Sequence, residues 1–329
     1  MKKMLLVLGV AVAALTSCTS DEVVEMNQDN LIKFESFVNK GTRAVAEVTS
    51  LSGFYVFGGY NGNNVFNNTS IAANGVTNKN WVLEQTYNFA AYADGNNGKI
   101  ETTGDASTVA FAEKKLTISN YTVDDSKDLV AVVTSDIASG NGGNDVDLTF
   151  KHLLSQVKFQ FVNTSDYYME VTDITFTAQS KGKCTVTNSG ATWGNWSGPK
   201  IYTYTGTSTY VAPKNKNNDS YYEYSPKYQM VLPQTVSTIQ AAFTINFYEK
   251  ITENDYVLVE SIDYSPTLTG TPANGDDDNV TEWQPSYKYN YKAFFPANPT
   301  QIKFSASVAG WEDDVDVDDN LTDNKDIKF

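Results

Sequence analysis

Val146-Asp147-Leu148-Thr149-Phe150-Lys151-His152-Leu153-Leu154-Ser155-Gln156-Val157-Lys158-Phe159-Gln160-Phe161 alternates apolar and polar residues cleanly at both ends, around a break at residues 151–155. Side chains on a strand point alternately to opposite faces, so Val146, Leu148 and Phe150 share one face and Val157, Phe159 and Phe161 another. The stretch reads as two half-buried strands. Immediately before it, Ser139-Gly140-Asn141-Gly142-Gly143-Asn144-Asp145 has three glycines and no aliphatic or aromatic residue among the first four positions or the last three, which suits a linker rather than a core.

The same pattern continues outward in both directions. Upstream, strands are expected at Leu31–Val38, Phe54–Phe57, Trp81–Leu83, Tyr87–Tyr92, Leu116–Val123 and Asp128–Thr134, divided by turns such as Asn61-Gly62-Asn63-Asn64 and Asp94-Gly95-Asn96-Asn97-Gly98. Downstream they are expected at Val171–Ala178, Tyr202–Tyr204, Tyr228–Leu232, Ala242–Tyr248, Tyr256–Asp263, Tyr287–Phe294 and Ile302–Val308. Helix is scarce, and the uneven spacing favours sandwiches over a barrel. In the first strand Ile32, Phe34 and Val38 share one face, with Lys33, Glu35 and Phe37 on the other.

Composition narrows the function. The 329 residues hold 39 Asp and Glu against 23 Lys and one Arg, a net charge of −15, which repels phosphate backbones and excludes nucleic acid as a partner. One His and two Cys cannot assemble a Cys/His zinc site, and histidine-based catalysis would rest on His152 alone. No Ser or Cys beside His152 stands in a recognisable triad order, so a structural histidine and a non-enzyme are expected. The acidic runs Asp276-Asp277-Asp278 and Asp313–Asp319 read as solvated turns. Asp314, Asp316 and Asp318 match the first acids of an EF-hand loop, but Asp319 replaces the required Gly and Lys325 the final Glu, leaving at most weak surface Ca²⁺ binding.

Residues 1–18 read as a signal peptide, with Lys2 and Lys3 ahead of the apolar run Met4–Ala14, which is too short to cross a bilayer. The run ends Leu15-Thr16-Ser17-Cys18, which looks like the lipobox of bacterial lipoproteins; Cys18 would carry lipid, palmitate included, and tether the chain to a membrane. Thr19-Ser20-Asp21-Glu22 resembles an acidic export signal to the outer face of the outer membrane, and reads equally as a solvated tether. With Cys18 acylated, Cys184 has no partner within the chain.

Taken in order, Cys18, the first strand ending at Thr42-Arg43-Ala44, the Leu148–Phe159 segment, and the late pair Tyr287-Lys288-Tyr289-Asn290-Tyr291 with Ile302–Trp311 resemble the fimbrillin family, type V pilins of anaerobic Gram-negative bacteria. The resemblance implies an all-β chain of two transthyretin-like (Greek-key) β-sandwich domains in tandem. The implied parts are a signal peptide 1–18, a propeptide with the first strand 19–43, an N-terminal sandwich 44–145, a C-terminal sandwich 146–311 and an acidic tail 312–329. It further implies export as a lipoprotein to the outer membrane and cell surface. An Arg-specific extracellular protease would cleave at Arg43-Ala44, and other fimbrial subunits would add by donor-strand exchange into an adhesive fimbria. No cofactor, metal or catalysis is implied.

Arg43 is the sole Arg, so such a protease has one place to cut, between the first strand and the rest of the fold. The product keeps 19 positive against 34 negative groups and remains self-repelling. The tail supplies Val315, Val317, Leu321, Ile327 and Phe329 as apolar teeth of a candidate donor strand, and Ile327-Lys328-Phe329 repeats Ile32-Lys33-Phe34. The same residues could instead close the chain's own second sandwich as an edge strand. Nine aromatics between Trp193 and Tyr228 offer a different class of reading: Trp193, Trp196, Tyr221 and Tyr222 as glycan-stacking rings of a surface-anchored, non-polymerising lectin whose receptor is a host or bacterial glycan. Ordinary sandwich packing accounts for such rings as well.

Overall fold

The computed structural model describes residues 30–38, 50–100, 107–139, 145–204, 210–213, 221–269, 271–272, 280–296 and 303–310. Among these the regular elements are strands: β1 Leu31–Val38, β2 Gly53–Tyr60, β3 Asn63–Ala72, β4 Val76–Asn80, β5 Thr86–Asp94, β6 Thr108–Ala112, β7 Lys115–Thr122, β8 Leu129–Ala138, β9 Val146–His152 and β10 Ser155–Asn163. They continue as β11 Tyr168–Thr187, β12 Gly190–Thr203, β13 Tyr222–Tyr224, β14 Gln229–Val231, β15 Ala241–Thr252, β16 Asp255–Tyr264, β17 Thr271–Pro272, β18 Tyr287–Phe295 and β19 Lys303–Gly310.

The first sheet runs β3-β2-β5-β8-β9-β1-β4. Its β8–β9 link is only two residue pairs long, Val130↔His152 and Ala131↔Lys151, so the sheet folds over itself there and its two parts enclose one core. Ile32, Phe34 and Val38 of β1 enter that core with Phe54, Phe66, Phe89 and the Val146, Leu148 and Phe150 face of β9. A second sheet, β13-β10-β18-β19-β17 with β14 also on β10, packs against a third, β16-β15-β11-β7-β6 with β12 also on β11. Val157, Phe159 and Phe161 of β10 face this second core, meeting Phe243 of β15 edge to face at 5.0 Å from Phe161. The residue 146–161 stretch therefore feeds both cores, β9 one and β10 the other.

The hairpin β6–β7 precedes the expected linker, yet it pairs with β11: Leu116, Thr117 and Ile118 lie opposite Val186, Thr185 and Cys184. Leu116, Ile118 and Tyr121 join Tyr92, Ala90 and Val133 in the second core, so β5 and β8 are buried on both faces. This is why Tyr87–Tyr92 reads as a nearly unbroken apolar run. The polypeptide on either side of residue 145 thus shares a sheet; residues 140–144 of the expected linker lie outside the described residues.

One expected strand is corrected. Trp81–Leu83 is not a strand: Trp81 alone is buried, Val82 and Leu83 are exposed, and the segment turns through Glu84 at φ 60°. It is fixed instead by Trp81 N donating to Asn30 O at 3.0 Å and Val82 N donating to the Tyr87 hydroxyl at 2.8 Å. Polar strands β3, β4 and most of β12 escape the sequence pattern, because their hydrogen-bond partners rather than their side chains define them.

Candidate functional site

The first strand occupies a built seat. On one side β1 runs parallel to β9, from Phe34 opposite Val146 to Val38 opposite Phe150; on the other it runs antiparallel to β4, with Leu31 opposite Asn80 and Lys33 opposite Val76. The register with β4 shifts between residues 31 and 33, where Phe34 N donates to Gly75 O at 3.1 Å. Gly75 stands at φ 66°, and a Cβ there would sit 1.7 Å from the Phe34 carbonyl oxygen, so the close approach of this turn to β1 requires glycine.

Side chains complete the seat. The Phe34 ring lies edge-on to Phe54, Phe66 and Phe89 at 6.3, 5.4 and 5.3 Å. Ile32 is fully buried, as expected from the strand period, while Glu35 and Phe37 face out. Each such apolar side chain contributes roughly 1.5–3 kcal/mol by burial. Taking β1 away would uncover an aromatic trough and the facing edges of β4 and β9, two rows of unpaired backbone groups.

The other sequence-derived residues fall in several places. Cys18, Arg43, Ala44, Val315, Val317, Leu321, Ile327 and Phe329 lie outside the described residues. The four rings read as glycan-stacking are not brought together. Trp193 and Trp196 lie on β12 in the third sheet, and each spends its indole N–H on a backbone carbonyl, of Leu153 at 2.7 Å and of Pro233 at 2.8 Å. Tyr222 lies on β13, opposite Asn163 of β10 in the second sheet, with Tyr221 just before it. His152, at the end of β9, is buried, its Nδ1 2.7 Å from Asp128 Oδ2, also buried; this pair sits where the two cores meet.

Sequence reading missed two features here. Gly75 gave no signal beyond an Asn-Gly turn. Tyr210 is one of the nine rings between Trp193 and Tyr228, but its packing with Tyr168, Tyr248 and Tyr256 has no signal in the sequence, because the four come from separate segments.

The first strand is thus seated between two strand edges of the sandwich, and the sole arginine follows it in the sequence. The family model described as fimbrillin-like matches residues 27–311, and the chain belongs to that family. Membership brings a fimbrial role at the cell surface, in association with other fimbrial subunits. No curated protein matches. Among solved structures, a fimbrial protein from Bacteroides vulgatus is similar, at TM-score 0.57 and 15% identity over 86% of this chain and 99% of that one. A cell adhesion protein from Bacteroides uniformis matches at TM-score 0.44 and 13% identity, over 86% and 98%. The tip fimbrial protein from Porphyromonas gingivalis matches at TM-score 0.41 and 8% identity, over 83% and 99%. At these identities the likeness of the first is one of fold.

Proposed function

We propose that this chain is a structural fimbrial subunit, exported as a lipoprotein through Cys18, cut at Arg43-Ala44 by an Arg-specific extracellular protease, and polymerised by donor-strand exchange. The observation that carries the reading is the seat of β1: a strand buried on its Ile32-Phe34-Val38 face, paired on both edges, and joined to the body through a segment containing the only Arg. Once that segment is cut, β1 is held by non-covalent contacts alone, and a strand of the same apolar period from a neighbour satisfies the same edges and trough. The tail with Val315, Val317, Leu321, Ile327 and Phe329 is the proposed donor. The work of such a subunit is mechanical, with no catalysis.

The test is Arg-specific proteolysis of the chain beginning at Thr19, followed by intact mass and negative-stain imaging. A single product starting at Ala44 that forms fibres is expected. A clipped chain that stays monomeric with its first strand bound would count against polymerisation, and a variant lacking residues 312–329 that polymerises unchanged would remove the tail as donor.

A further inference from the structure

Strands β11 and β15 turn one face to the core and leave the other open, and β16 lies largely exposed beside them. Met169 and Val171 of β11 and Phe243, Ile245 and Phe247 of β15 are buried, while the residues between them are half-exposed. At one end of this outer face four tyrosines converge from four segments. Tyr210 stacks on Tyr256 with centroids 4.3 Å apart and planes 11° off parallel. Tyr248 meets Tyr210 edge-on at 5.0 Å, and Tyr168 meets Tyr256 edge-on at 5.1 Å. Tyr210 keeps 42% of its surface exposed while it packs on Tyr256 and Tyr248.

A polar row continues from the rings along the same face. Glu170 accepts hydrogen bonds from the Tyr248 hydroxyl at 2.9 Å and Asn246 Nδ2 at 3.2 Å, and Asn246 Oδ1 accepts from Ser261 at 2.7 Å. The Lys250 ammonium stands over the Tyr168 and Tyr256 rings at 5.6 and 5.4 Å. The rings brace one another and the polar groups are cross-bonded, so both are oriented before any ligand arrives, which lowers the cost of binding.

We infer that this outer face binds a neutral oligosaccharide, a pyranose ring resting its C–H face on Tyr210 while hydroxyls of the next residues engage the Glu170–Asn246–Ser261 row. Sugars present apolar ring faces and hydroxyls that both donate and accept, and the strip offers the complement of each. Neutrality follows from charge: Glu170 and Asp263 outnumber Lys250 on this face, and a chain of net charge −15 disfavours sialylated or sulfated glycans. The face is separate from the seat of β1, so the inference stands apart from polymerisation.

Isothermal titration of the uncut chain with maltohexaose, cellohexaose, mannohexaose, xylohexaose and N-acetylchitohexaose tests it, with a sialylated hexasaccharide as the charged comparison. At least one neutral probe should bind at millimolar concentration or below. Its affinity should fall about tenfold, equivalent to ~1.4 kcal/mol, in Tyr210→Ala and be kept in Tyr210→Trp and in Tyr222→Ala. Tyr210 contributes nothing to the buried core, so its substitution leaves the fold intact for the comparison. Silence from every neutral probe, binding indifferent to Tyr210→Ala, or preference for the sialylated probe would each overturn the inference.

Discussion

Two buried groups illustrate how single residues respond to the cores around them. The Cys184 thiol is fully buried on β11 and burial alone pushes its pKa well up, so it is both shielded and protonated. It should resist a thiol reagent in the native chain and react at the rate of unfolding in urea, a labelling time course by mass spectrometry; fast labelling without denaturant would show that β11 opens locally. Asp94 is held above the ordinary aspartate range chiefly by burial, with the hydrogen bond from Tyr121 at 3.0 Å opposing the shift. Its folded pKa exceeds the unfolded one, so the folded state binds the extra proton and stability falls as pH rises through the window between them. Asp94→Asn should flatten that part of the profile, making the variant's loss of stability from about pH 4 upward smaller than the parent's. Urea midpoints measured across that range decide it, and parallel profiles would refute the assignment. Some of this scale was legible in the sequence. The Ile32-Phe34-Val38 face follows from period two, whereas nothing beside His152 in the sequence announced its buried pairing with Asp128. Asp94 could not be foreseen as buried, because it lies in an Asp-Gly-Asn-Asn-Gly run that reads as a solvated turn, and the Tyr121 hydroxyl that donates to it comes from another strand.

Strands differ in how much of themselves they write into sequence. Those with one face in a core, such as β9 and β15, show alternation and were legible; β10 alternates too, although Gln156, Gln160 and Val162 on its other face are also buried. β4, Val76-Thr77-Asn78-Lys79-Asn80, has no such pattern; it exists because β1 offers it an edge and Gly75 lets the chain approach. The seat of β1 was accordingly half legible: the strand itself could be read, but one of its two neighbours could not. A consequence follows for its release. Gly75→Ala forces a Cβ against the Phe34 carbonyl at a left-handed position, so the turn must retreat and loosen the β1–β4 edge. After Arg-specific cutting, the first strand should leave this variant several-fold faster than the parent, read as loss of the fragment by size exclusion; equal rates would mean that β9 and the Phe34 ring contacts alone hold it. The two tryptophans of β12 carry the converse lesson. Trp196 does keep an exposed ring and Trp193 is half-buried, yet both indole N–H groups are tied to backbone carbonyls, of Pro233 and Leu153, which fixes the rings to neighbouring chain.

Sheet membership decides how the whole molecule behaves, and it was the least legible scale. Alternation tells which face of a strand is buried but not which strand lies beside it, so nothing in Lys115–Thr122 announced that β7 would pair with residues some sixty positions later in β11. Because that pairing merges the two halves into shared layers, heating the uncut chain should give one calorimetric transition whose calorimetric and van't Hoff enthalpies agree. Two resolved transitions would show that the halves fold as independent bodies. β11 itself is the feature with the widest reach: along one edge it is flanked first by β15 and then by β7, and along the other by β12. This twenty-residue strand is tied to one neighbour after another, and at residues 175–176 and 181–186 to two at once, so bending it there would break backbone hydrogen bonds in two ladders together. In a fibre of such units, curvature would gather at the joints between neighbours, and its persistence length would report on those joints rather than on the protein between them.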